Sequence, residues 1–134
     1  MAAGVAGSLG VAAVTATNLL IDGGTLKYSG SGAQSTDRLF SIGSALNSGG
    51  GATLDASGAT SADTLSFVGT GLIGFTGMTG VGTTGDETGG RTLTLTGTNT
   101  GANTLTSIIS DQAASTGVTS VTKSGVGTWV INGV

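Results

Sequence analysis

The chain has 134 residues, 27 of them glycine, with no proline, cysteine or histidine and a formal net charge of −3. That length holds one compact domain, and the missing Cys and His exclude a disulfide framework, a zinc centre and a Ser-His-Asp nucleophile. A pI near 4.3 with no basic patch also argues against binding to nucleic acid or to anionic membrane surfaces.

Only 8% of residues are charged, yet mean hydropathy is +0.34. Unfolded chains show the reverse, low hydropathy with high charge. Short apolar clusters cut by glycine instead predict an all-β domain of short strands and tight turns.

Residues 1–17 are apolar and rich in small side chains. They lack the basic start of a secretory signal, since Lys27 is the first cation, and they lack the bulk of a membrane-spanning helix. They read as an extended segment ending a preceding unit, with no membrane insertion. Residues 18–30 predict two strand pieces around Asp22-Gly23-Gly24, where Gly-Gly supplies the positive φ of a tight turn. Residues 30–37 read as a polar loop, and 38–43 as a short strand. After a Gly-Ser-Asn loop at 45–51, strands are expected within 52–58, 64–71 and 72–77.

Residues 78–90 form the longest Gly-rich run and read as a loop. From Arg91 to Gly97 alternation is strict: Thr92, Thr94 and Thr96 share one face, Leu93 and Leu95 the other. Residues 103–111 carry a further strand. Residues 112–117 form a loop that could hold one brief helical stretch at Ala113–Ser115. Two last strands are expected within 119–125 and 128–133. The expected core is Leu26, Tyr28, Phe40, Ile42, Leu54, Leu65, Phe67, Phe75, Leu93, Leu95, Ile108, Val121, Trp129 and Ile131.

No stretch keeps a helical apolar period, and glycine costs about 1 kcal/mol per helical position relative to alanine. Strand cores recur about every 8 to 16 residues, a spacing shared by sandwiches, barrels and solenoids. The recurring unit Thr-apolar-x-apolar-x-Gly favours a solenoid, in which each coil touches only its neighbours.

The run TSVTKSGVGTWVINGV at 119–134 resembles the passenger-associated repeat of bacterial autotransporters, usually worded L-x-K-x-G-x-G-T-[LW]-x-L-x-G. The matching residues are Val121, Lys123, Gly125, Gly127, Thr128, Trp129, Ile131 and Gly133. Upstream segments are similar to those between such repeats, so the resemblance covers about residues 18–134. It implies a right-handed parallel β-helix with no substantial helix, residues 1–134 being one module at the bacterial surface or outside the cell. The family continues past this Gly with a turn of the type Asn-Thr-Tyr-Thr-Gly, which is not present here. That departure implies one module of a longer array.

The expected function is that of a non-catalytic stalk in a surface adhesin, with neighbouring coils or identical subunits as end-to-end partners and no cofactor. Two alternatives stand beside it. One is a head-to-tail filament subunit, since open coil ends expose strand edges. The other is a polysaccharide-binding or polysaccharide-cleaving β-helix. Cleavage needs two carboxylates about 5 to 10 Å apart, and Asp86-Glu87 is the only local acidic pair. The same pair is the nearest approach to a calcium site, but it lacks the spaced acids of an EF-hand or a calcium-binding solenoid repeat. Asp86 and Glu87 therefore read first as a solvated loop tip. Lys27 with Asp22, and Arg38 beside Asp37, read as surface pairs at strand ends. Tyr28, Phe40, Phe67, Phe75 and Trp129 alternate in phase with Leu and Ile, so they read as core, not as a sugar platform. Thr92, Thr94 and Thr96 would form an ice-ordering face only if repeated on successive coils; ordinary β-propensity of Thr is the simpler reading.

Overall fold

Hydroxylated residues alternating with branched apolar ones favour extended backbone, and glycine allows the sharp corners between runs. The computed structural model describes residues 9, 13–43, 50–77, 80–81, 90–111 and 117–133. Among them, one 3₁₀ turn, Ala16–Asn18, precedes twelve short strands. These are β1 Leu20–Ile21, β2 Thr25–Tyr28, β3 Gln34–Thr36, β4 Ser41–Ile42, β5 Gly51–Ala56 and β6 Leu65–Phe67, followed by β7 Gly74–Gly77, β8 Gly80–Val81, β9 Arg91–Thr96, β10 Asn103–Leu105, β11 Thr119–Lys123 and β12 Trp129–Ile131.

The strands form three four-stranded sheets. Sheet I runs β1-β4-β7-β8, sheet II β11-β9-β5-β2, and sheet III β12-β10-β6-β3. Every pairing is parallel except β7 with β8. Along the chain the sheets are visited in one fixed order: I, II, III, three times over, and then II and III again. Before that last pass, Ile108 makes a single parallel bridge to Leu72, beside β7.

Parallel register places residues in columns across each sheet. In sheet II, Thr25, Thr53, Thr94 and Thr122 are partners in turn, and so are Leu26, Leu54, Leu95 and Lys123. In sheet III, Thr36, Phe67, Leu105 and Ile131 share a column, next to Ser35, Ser66, Thr104 and Val130. The pleat sends neighbouring columns to opposite faces. One apolar cluster draws on all three sheets, with Ile21 and Ile42 from sheet I, Leu54, Leu93 and Leu95 from II, and Phe67 and Leu105 from III. Phe40 meets Phe67 edge to face, the ring centroids 5.4 Å apart, a geometry that suits the ring quadrupoles.

Phe40, Ile42, Leu54, Leu65, Phe67, Leu93 and Leu95 are buried, as are Ile21, Ala52, Ala56, Ile73 and Leu105. Leu26, Tyr28, Phe75 and Trp129 are partly buried against them, and Ile108 is half-buried. Val121 and Ile131, expected in the core, are 41% and 49% exposed. They occupy inward columns, but β11 and β12 are the outer strands of their sheets, so only one side of each residue is covered.

Four segments differ from their sequence reading. The expected loop at 30–37 contains β3, whose Gln-Ser-Thr sequence carries no apolar residue; small Thr36 fills the inward position of the Phe67 column and is 3% exposed. The expected loop at 78–90 contains β8, which folds back on β7. The described part of the first segment carries a 3₁₀ turn, not a strand: Asn18 N donates to Thr15 O and Asn18 Nδ2 to Ala13 O, each at 3.1 Å, local bonds that compete with a strand ladder. The strand expected in 103–111 ends at Leu105. The helical stretch considered at Ala113–Ser115 lies outside the described residues.

Candidate functional site

The sequence between β9 and β10 is Gly-Thr-Asn-Thr-Gly-Ala, and it builds the corner where sheet II hands over to sheet III. Gly97 has φ +125°, and a Cβ there would sit 1.9 Å from Ala56 O, so only glycine fits. Successive corners lie on one another. Gly127 N donates to Gly97 O at 2.9 Å, and Thr128 N to Asn99 O at 2.9 Å.

Three polar side chains lock these corners together. The Asp63 carboxylate accepts Gly32 N (2.5 Å) on one Oδ, and Thr60 N and Thr60 Oγ1 (both 2.8 Å) on the other. The Gly32 amide, followed by the two Thr60 donors, holds the Asp63 carboxyl below its ordinary pKa of 3.8, and these bonds outweigh desolvation. Asn99 Nδ2 donates to Thr60 O (2.5 Å) and Asp63 O (3.0 Å). Asn103 accepts Leu65 N on Oδ1 and donates through Nδ2 to Thr128 O, each at 2.8 Å. It therefore ties the neighbouring passes on both sides.

The residues of the carboxyl-terminal repeat can now be placed. Lys123 Nζ donates to Ser124 O and Gly125 O. Gly125 has φ +67°. Trp129 Nε1 donates to Thr96 O at 2.9 Å, crossing to the pass before. The first strand of this repeat is in register with β9: Leu93 partners Val121, and Thr94 partners Thr122.

The charged residues are arranged differently from their sequence reading. Lys27 pairs with Asp55, its register partner, at 3.5 Å, and not with Asp22. Arg38 is buried, where a surface pair was expected. Arg91 is also buried, its guanidinium 5.3 Å from the Phe75 ring centroid, a cation–π contact. The local sequence shows neither, because an arginine in a short strand looks the same whether its partner ring is present or absent. Asp111 accepts Thr119 N at 2.7 Å and caps the start of β11. Asp86 and Glu87 lie outside the described residues. Among the described residues no three acidic side chains gather as a metal site would require.

Two end faces remain. The trailing face, at β11 and β12, exposes Val121, Ile131 and Val126, the last 77% exposed. The leading face, at β2 and β3, holds a cavity of about 200 Å³ lined by Leu9, Leu26, Tyr28, Gln34, Thr36 and Phe67, among others. Between them, sheet II presents an outward face on which the Thr25–Thr122 column carries one threonine per strand. The flanking column reads Lys27, Asp55 and Thr96, which breaks the regular hydroxyl array.

The chain is 38% identical over 126 residues, 94% of its length, to part of the Adhesin BmaC autotransporter of Brucella suis biovar 1 (strain 1330). It spans 3% of the length of that relative. No protein-family model matches the chain, and no solved structure does. No helix among the described residues is long and apolar enough to cross a membrane.

Proposed function

We propose that the chain is a non-catalytic structural module of an exported bacterial surface protein. In this reading the three sheets are the walls of a right-handed parallel β-helix that serves as a stalk in an adhesin. The observation that carries it is the fixed cyclic order of the strands through three parallel sheets, with register columns running through successive passes. A single cluster shared by the sheets gives the walls a common interior. The right hand follows from the strong preference of parallel crossovers. The related adhesin supports the surface setting.

The mechanism is mechanical. Parallel ladders run along the axis, apolar columns fill the inside, and the Asp63, Asn99 and Asn103 corner resists shear between passes. Lateral load is shared by hydrogen bonds that a sliding pass would have to break together.

The test is surface display. Placed between a membrane anchor and a distal binding domain, the chain should carry that domain outward with its binding intact, and purified chain should turn over no polysaccharide. Glycan hydrolysis lost on changing Asp86 or Glu87 would replace this reading with the enzymatic one.

A further inference from the structure

The corner between sheets II and III is held differently on its two sides. In the second pass it is the loop 57–63, Ser-Gly-Ala-Thr-Ser-Ala-Asp. None of these residues belongs to the apolar cluster, so polar bonds and close backbone contact fix the loop. Toward the third pass those contacts are several and neutral. Asn99 Nδ2 donates to Thr60 O and Asp63 O, and Asn99 N to Ala56 O at 3.0 Å. Gly101 packs so closely that a Cβ there would lie 2.0 Å from Ser61 O.

Toward the first pass the loop meets the turn 29–33, and there the contact carries charge. Among the described residues, the bond from this turn to the loop is Gly32 N to Asp63 Oδ1 at 2.5 Å. The other bond of Gly32 stays within its own pass, where the Tyr28 hydroxyl donates to Gly32 O. Asp63 is the one carboxyl in residues 29–33, 57–63 and 97–103. The titratable and charged groups beside them are Tyr28 and Asp55, the latter accepting from Ser57 Oγ and pairing with Lys27 at 3.5 Å. An ionised carboxylate only accepts, but one proton turns an oxygen into a donor. Gly32 N and the two Thr60 donors then face an acceptor too few.

We propose that Asp63 is an acid-released latch: protonation frees the turn 29–33 of the first pass from the loop 57–63 of the second, while Asn99 and Asn103 keep the second pass fastened to the third. The opening is one-sided and local, a unit smaller than the whole fold. The bonds favour the ionised form, so the latch is closed at neutral pH and releases as pH falls below 3.8 through the lower folded value.

Amide exchange followed by NMR tests it, read as protection relative to an unfolded chain at the same pH. On acidification the Gly32 and Thr60 amides should lose protection along the inflection of the Asp63 carboxyl. Leu65 and Gly101, whose amides bond Asn103 Oδ1 and Asn99 Oδ1, should keep theirs. Asp63→Ala should show the acid pattern already at neutral pH, and Asp55→Asn should leave the Gly32 titration where it was. Loss of all four protections in one step overturns the proposal, since the corner would then open only with the whole fold. So does a Gly32 amide that stays protected through the Asp63 inflection. A Gly32 titration abolished by Asp55→Asn also overturns it and assigns the release to the Lys27 pair. Should Asp63→Ala lose its β-type circular dichroism, the titration of the unaltered chain decides.

Discussion

At the scale of single residues, the fold rests on a few polar groups in the interior. Asn99 and Asn103 are 2% and 0% exposed, and their side-chain bonds replace water for buried backbone groups, each of which would cost about 1–3 kcal/mol if left unmade. The sequence reading singled out neither, although Asn103 opens the strand expected at 103–111. The available signal was phase: Asn103 alternates with buried Leu105, on the inward side. For Asp63 the local signal was Thr60, three residues before it, while its other donor, Gly32, lies a whole pass away. Because the Asp63 pKa is lowered on folding, its contribution is complete above 3.8 and is lost as pH falls through its lower folded value. The urea midpoint should therefore drop as acid is added below pH 3.8. Asp63→Asn should lower the midpoint at neutral pH and flatten that acid limb; a variant with an unchanged acid limb would remove Asp63 from the account.

At the scale of elements, position in the column decides what a strand residue is worth. Leu54 has neighbours Leu26 and Leu95 on either side and is fully buried. Leu54→Ala should cost about 2–5 kcal/mol. Ile131 sits in an equivalent inward column but at its end, and Ile131→Ala should cost less than about 1 kcal/mol. Chemical denaturation of the two variants checks the contrast, and equal losses would contradict it. Strands with leucine or phenylalanine at alternate positions were legible, because period-two alternation is a local property. β3 was not, because its inward columns hold Gln34 and Thr36, neither of them apolar, and only Thr36, beside Phe67, is buried. Nor was the exposure of Val121 and Ile131, since alternation gives the face of a residue and not the presence of a neighbour above it.

At the scale of the whole molecule, the arrangement depends on which strands meet. Alternation, glycine corners and the recurring Thr-apolar-x-apolar-x-Gly unit pointed to stacked units; β9 and β11 are register partners, whereas the alternating Trp129 and Ile131 lie in β12 beside β10. The grouping into three sheets could not be read the same way, because passes differ in length and the pairings span long insertions. In the proposed β-helix the three sheets would enclose one interior, with the chain winding through them in order. Multidimensional NMR of the isotope-labelled chain tests this most directly. It should show side-chain Overhauser contacts that link Ile42 of sheet I, Leu54 of sheet II and Phe67 of sheet III through one cluster, together with the Phe40–Phe67 ring contact. Contacts confined within each sheet, with no path joining those three residues, would contradict it.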